Sequence, residues 1–403
     1  MLSRIAPLHV RAYTATCALG VGKASMLAAV AEHRSGLRPN DFGRHALATW
    51  IGRVEGLDEP LPPSIVRWDC RNNRLAWRGL CADGFLDAAQ AARRRHGAAR
   101  VAVVMGTSTS SIGETEDAYA HLDAAGRFPP HMSHPEVHTP HSIGAFVQDA
   151  LGLEGPCVTV STACSSSAKV FAVAERLLRL GLVDAAVVGG VDTLCGSVLF
   201  GFNALQLVSP EPCRPFDVHR SGLNLGEAAG FALLERGAGA LQLLGYGESS
   251  DAHHMSTPHP QGLGAERALD AALARAGVEA HAIDYINLHG TASAKNDEVE
   301  AALVARRFTA ATHASATKGF VGHTLGAAGI VEAAFSLLAI ETGLMPGTVN
   351  TEVLDPVCGP QIRLRPALGD VRLALSNSFG FGGTNCVLVF GRGLDETAGD
   401  AVR

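Results

Sequence analysis

Short apolar, β-branched runs at residues 101–104, 158–160, 186–188, 283–288, 373–375 and 387–389 each stop at Gly, Ser, Thr or Asn, the pattern of buried strands. Between them apolar positions recur at helical spacing over 268–276, 297–305 and 325–340. Leu177, Leu178 and Leu180 close a further apolar helix that opens near Cys164. Strands alternating with helices predict α/β layers. No internal repeat is legible residue by residue, no Pro/Ser-rich linker divides the chain, and the polar, acidic tail from Leu394 predicts a frayed end.

The 403 residues are enough for one large α/β unit or two ordinary domains. With 47% hydrophobic residues, 18% charged residues and 45 glycines, the chain reads as tightly packed and globular. A net charge of −6 excludes a global basic surface for nucleic acid or anionic lipid, so an acidic partner has to meet a local basic patch. Residues 1–10 lack the three-part pattern of a secretory signal. Residues 193–210 are uncharged, but Gly196, Ser197, Gly201, Asn203 and Gln206 suit a buried loop better than a membrane span. The expected location is therefore the cytosol, with no membrane partner. Nine cysteines without a CxxC pair fit neither a disulfide framework nor a zinc knuckle, and most read as small buried hydrophobes.

Cys164 stands apart. In residues 157–171 an apolar strand gives way to small residues, then the thiol, then an apolar helix. A thiol at a helix start meets free N–H groups and the positive end of the dipole, which predicts a pKa below the usual value of about 8.5. The same N–H groups suit a developing oxyanion. Taken alone, the segment fits a buried structural cysteine equally well.

Two histidine segments change the balance. His289 directly follows the apolar run 283–288, at the carboxyl end of a strand, where open α/β sheets place their chemistry. Thr291 and Ser293 offer hydroxyls beside it. His323 sits among glycines and alanines where a helix begins, bracketed by Lys318 and Glu332, which would need each other if buried. Residues 375–385 join two strands through a turn with three glycines, which permits close backbone approach to a reacting group.

Together these segments resemble the elongating β-ketoacyl-acyl-carrier-protein synthases of the thiolase superfamily, from about residue 100 to about residue 390. The blocks 213–217, 226–230 and 249–255 fall in that family's order and spacing, while residues 1–99 match more weakly. The resemblance implies an α/β, five-layered α-β-α-β-α fold from two similar halves. Residues 1–240 would carry the nucleophilic cysteine, and 241–403 both histidines. It also implies that Cys164 accepts an acyl chain from the phosphopantetheine of an acyl carrier protein, and that His289 and His323 assist decarboxylation of malonyl-carrier. Cys164 and Phe381 would supply oxyanion-hole N–H groups, with Phe381 also gating the acyl pocket. Lys318 and Glu332 would organise the site. Thr291, Ser293, Thr109 and Phe379 would contact substrate. No metal or other cofactor is implied.

The chain departs from the family pattern at Ser293, Ala292 and residues 220–223. Residues 106–112, in the family's acyl-gate region, are unusually polar, and this run is similar to synthases of aryl polyene clusters. Such enzymes pair with themselves or with a chain-length-factor-like partner. A non-catalytic partner subunit of that kind is the alternative, although those subunits lack the active cysteine. Arg67, Arg71, Arg74 and Arg78 recur at helical spacing and predict one basic stripe, either a solvated face or, as the resemblance favours, a carrier-docking surface. His131, His134, His138 and His141 cluster between prolines that forbid a regular helix, so a loop is expected there and no metal site.

Overall fold

The computed structural model describes residues 3–43, 46–129 and 135–393. Ten strands of the eleven-stranded main sheet concern the site: Leu8–Cys17 (β1), Val101–Gly106 (β2), Cys157–Val160 (β3), Ala185–Asp192 (β4), Ala228–Arg236 (β5), Leu241–Ser250 (β6), Tyr285–Leu288 (β7), His313–Ala316 (β8), Leu373–Gly380 (β9) and Thr384–Arg392 (β10). Their order is β8-β7-β9-β10-β6-β1-β5-β4-β2-β3. Read outward from the middle, β1-β5-β4-β2-β3 and β6-β10-β9-β7-β8 each pass through two antiparallel and then two parallel pairings. The duplication that the residues hide is thus plain in the topology. Within the sheet, the halves join where β1 meets β6, through Leu8↔Leu243 and His9↔Gln242.

The principal helices are Arg71–Leu80 (α1), Phe85–His96 (α2), Ser142–Leu151 (α3), Ser166–Arg179 (α4), Gly196–Ala204 (α5), Leu263–Ala276 (α6), Ala294–Arg307 (α7) and Ala328–Thr342 (α8). Helices α4 and α8 lie between the two halves, where Phe171 and Phe335 share one apolar cluster with Val104 and Val188 of the first half and Leu388 and Phe390 of the second. Outside, α1, α2 and α3 bring Leu75, Phe85 and Phe146 onto Val103 and Val187. Helices α6 and α7 bring Leu269 and Leu303 onto Ile286 and Val389. The result is the expected five-layered stack. Small residues set its spacing: a Cβ on Gly329 of α8 would lie 2.5 Å from the Ala168 nitrogen of α4. The stretch Leu325–Thr342 is long and apolar enough to cross a membrane, yet it is the central helix and 89% buried within the protein.

Two expectations change. Residues 193–210, read as a buried loop, contain α5, whose first N–H groups at Gly196 and Ser197 are capped by the Glu116 carboxylate. Strand β5 also went unanticipated. Its Ala/Leu-rich sequence favours a helix, but pairing on both edges, with β1 and β4, overrides that propensity.

Candidate active site

Strand β3 ends at Val160, and four residues later the chain presents Cys164 just before α4. Ala163 is held at φ +53°, in the left-handed region that costs a residue with a side chain, and the Ser166 hydroxyl braces the turn by accepting from Thr162 N–H at 2.9 Å. The thiol is buried. His323 Nε2 lies 3.0 Å from its Sγ, and the backbone N–H groups of Phe381 and of Cys164 itself also reach the sulfur. Burial pushes the thiol up to about 11, against the lowering by the Lys318 charge and the two N–H groups. The expected low pKa is therefore corrected: the helix-start argument holds locally, but desolvation of the buried thiolate outweighs it.

His289 follows β7, where its backbone N–H and that of Gly290 each donate to the buried Glu300 carboxylate at 2.8 Å. The Lys318 ammonium donates to His289 Nδ1 at 3.3 Å and to its carbonyl at 2.5 Å, and pairs with Glu332. His323 follows Gly322, and its Nδ1 accepts the N–H of Leu325 at 3.2 Å. Ammonium and backbone N–H can only donate, so both imidazoles are unprotonated at Nδ1 and carry their proton at Nε2. Burial and then the Lys318 charge hold both rings well below the usual histidine pKa, with His323 adding to the effect on His289. The two rings stand nearly perpendicular, with centroids 5.6 Å apart. Sγ and one nitrogen of each ring lie within 4.8 Å of one another. Three such atoms invite comparison with a metal site, but the Lys318 cation beside His289 opposes a second positive charge.

The cavity above these groups measures about 50 Å³ and is lined by Thr291, Ser293, Phe379 and Phe381 among others. Thr291 and Ser293 share a hydroxyl contact of 2.8 Å. Sequence reasoning missed Phe202 on α5, whose ring stacks on Phe381 at 5.5 Å and stands 6.3 Å from His323. It lies in the stretch read as a loop, where no periodicity set it apart. Thr109 does not line the catalytic cavity; its hydroxyl donates to Asp192 at 2.8 Å.

The basic stripe is corrected too. Arg67 belongs to a separate 3₁₀ turn, Pro63–Trp68, and α1 begins only at Arg71, so the four residues do not share one helix face. Arg67 pairs with Asp149 at 3.0 Å, Arg71 with the buried Glu227 at 2.6 Å, and Arg74 with Asp69 at 2.5 Å, while Arg78 donates to the Gly56 carbonyl at 3.3 Å. Of the histidine cluster, His131 and His134 lie outside the described residues. His138 and His141 bond separately to the hydroxyls of Thr115 and Thr159, at 2.9 and 2.8 Å.

Comparison with known proteins identifies the family. The profile of Beta-ketoacyl synthase, N-terminal domain, matches residues 74–240, and that of Beta-ketoacyl synthase, C-terminal domain, matches residues 241–352. The 3-oxoacyl-[acyl-carrier-protein] synthase 2 of Rhizobium meliloti (strain 1021) is 42% identical over 262 residues, which are 60% of this chain and 62% of that protein. Nodulation protein E of the same organism is 36% identical over 306 residues, 73% of this chain and 76% of that protein. Among solved structures, the ketosynthase (ApeO) in complex with its chain length factor (ApeC) from Xenorhabdus doucetiae superimposes with a TM-score of 0.88. It is 34% identical, and the match covers 96% of this chain and 98% of that one.

Proposed function

Because the chain belongs to the β-ketoacyl synthase family, we propose that it catalyses decarboxylative Claisen condensation, joining an acyl group held on Cys164 to the two-carbon unit of a malonyl thioester. The observation that carries this is the convergence of one thiol and two Nε2–H donors on a single small cavity. Cys164 Sγ attacks an acyl thioester and expels the carrier thiol, which takes up the proton. The malonyl thioester then enters, its C–C bond to the carboxylate breaks, CO₂ leaves, and the electron pair moves into an enolate. The Nε2–H groups of His289 and His323 donate to the enolate oxygen, and being neutral they need not first surrender a proton. The carbanion attacks the Cys164 thioester, whose oxygen turns to the N–H groups of Cys164 and Phe381, and collapse returns the thiolate, which takes up one proton from solvent to restore the thiol. Such a cycle needs no resident cofactor, since both substrates ride on phosphopantetheine of an acyl carrier protein.

Intact-mass measurement after mixing with acyl-carriers tests this. The wild type should gain one acyl group and Cys164→Ala none; equal labelling of the two proteins refutes the assignment. The presence of Cys164 in this setting favours catalysis over a non-catalytic chain-length subunit.

The likeness to a ketosynthase that works with a chain length factor supports a heterodimeric partner and the aryl polyene class as the narrower reading. Exposed Tyr119 and Phe128, whose rings meet edge-on with centroids 5.3 Å apart, supply an apolar contact for such a partner. For the acidic carrier, Arg67 and Arg78 are better docking groups than Arg71, which holds Glu227. Reversing both to Glu should raise KM for carrier-bound substrate about three- to tenfold, as expected for two partly screened surface charges, and spare a small thioester. Equal changes for both substrates would exclude docking there.

A further inference from the structure

Asp192 ends β4 fully buried, and the chemistry above gives it no task. Its Oδ1 accepts from the Thr107 hydroxyl at 2.5 Å, the Thr109 hydroxyl at 2.8 Å, the Thr109 N–H at 2.9 Å and the Ser110 N–H at 3.2 Å. Its Oδ2 accepts from the Ser108 N–H at 2.9 Å. Four consecutive residues thus hang on one carboxylate, whose bonds to neutral donors are strong where water is excluded. The loop is held against preference as well as by attraction, since Ser110 sits at φ +47°.

This loop touches both halves of the reaction centre. Ser166 Oγ, at the start of the nucleophile's helix, lies 3.4 Å from the Thr107 carbonyl. On the other side is the turn that follows His323, where a Cβ on Gly326 would stand 2.5 Å from the Ser108 nitrogen and 2.7 Å from Asp192 Oδ2. The loop then runs to Ser111, which together with Thr193 and Cys195 borders a second cavity of about 530 Å³. The space around Cys164 is about 50 Å³. A long acyl chain on Cys164 therefore needs more room than the catalytic cavity supplies, and the larger cavity lies at the far end of this loop.

We propose that Asp192 is a positioning residue that latches the loop of residues 107–110 and thereby sets which acyl chains Cys164 can carry. The inference rests on the condensing-enzyme reading and adds to it a determinant of chain selectivity outside the reaction centre. Asp192→Asn keeps size and one acceptor but turns an N–H₂ toward the Ser108 N–H, loosening the loop.

The test compares acylation of Cys164 by a series of short to long acyl-carriers with CO₂ release from malonyl-carrier, which needs no acyl chain. In Asp192→Asn the spread of kcat/KM across the series should flatten by about tenfold or more, the scale on which pocket contacts discriminate, while CO₂ release holds near the wild-type rate. Thr109→Val, which removes a single donor, should flatten the series less and serves if the first variant does not fold. A profile that superimposes on the wild type's, or a parallel fall of both activities, overturns the latch. A wild type that neither acylates at Cys164 nor releases CO₂ overturns the condensing-enzyme reading and the latch with it.

Discussion

Replacing His323 by Ala is expected to leave Cys164 able to take an acyl group while CO₂ release from a malonyl thioester falls about 10²–10³-fold, the usual cost of losing one donor to a developing oxyanion. The two steps separate because different groups serve them. The influences that lower the thiol pKa are the Lys318 charge and the N–H groups of Phe381 and Cys164, and all three survive the substitution. The enolate, by contrast, keeps only His289, whose Nε2–H alone must hold a charge that two perpendicular rings share in the wild type. Intact mass reads the first step and trapped CO₂ the second. Undiminished CO₂ release would remove His323 from the decarboxylation, and loss of the adduct would show that its 3.0 Å contact with Sγ is needed for attack.

What the chain reveals by itself depends on how local the signal is. Cys164, His289 and the glycine turn around Phe381 each sit where an apolar run ends in small residues, and a strand end can be read from a few neighbours. His323 and Lys318 were legible through their flanking glycines. Long-range quantities were not. The start of α4 predicts a lowered thiol pKa, yet burial within the fold sets it, against the opposing influence of groups far along the chain, the Lys318 charge and the Phe381 N–H. The spacing of Arg67, Arg71, Arg74 and Arg78 is that of a helix, but the chain turns between Trp68 and Arg71, and the partner that claims Arg71 is Glu227, far away in sequence. Asp192 and Phe202 carry no local mark at all. Each acquires meaning only when the fold brings it to residues 107–110 or to Phe381. The repeat of the two halves was hidden for a related reason: strand order and direction persist while the side chains do not.

Lys318→Met should be the most damaging single change to stability. Lys318 is 2% exposed, and its ammonium serves Glu332, the His289 carbonyl and His289 Nδ1 at once. Removing one partner of a buried ion pair leaves the other charge uncompensated, which costs about 3–5 kcal/mol. The loss should depend on pH in a definite sense. Burial already pushes Glu332 up to about 7 despite the Lys318 charge, so without that charge it rises further. A carboxylate with its folded pKa raised above the unfolded one favours the native state at low pH, and that contribution disappears as pH climbs through the folded value. Lys318→Met should therefore be most stable near pH 5 and lose stability toward pH 8 and beyond, by up to about 1.4 kcal/mol per pH unit. Adding Glu332→Gln should recover much of the stability and abolish that slope. It should not recover catalysis, because nothing then holds the proton of His289 on Nε2 and the strongest influence lowering the Cys164 thiol is gone. Denaturant titrations at several pH values, with CO₂ release measured on both variants, separate these roles. A flat pH dependence in the single variant, or full activity in the double, would show that Lys318 neither restrains Glu332 nor fixes the imidazole.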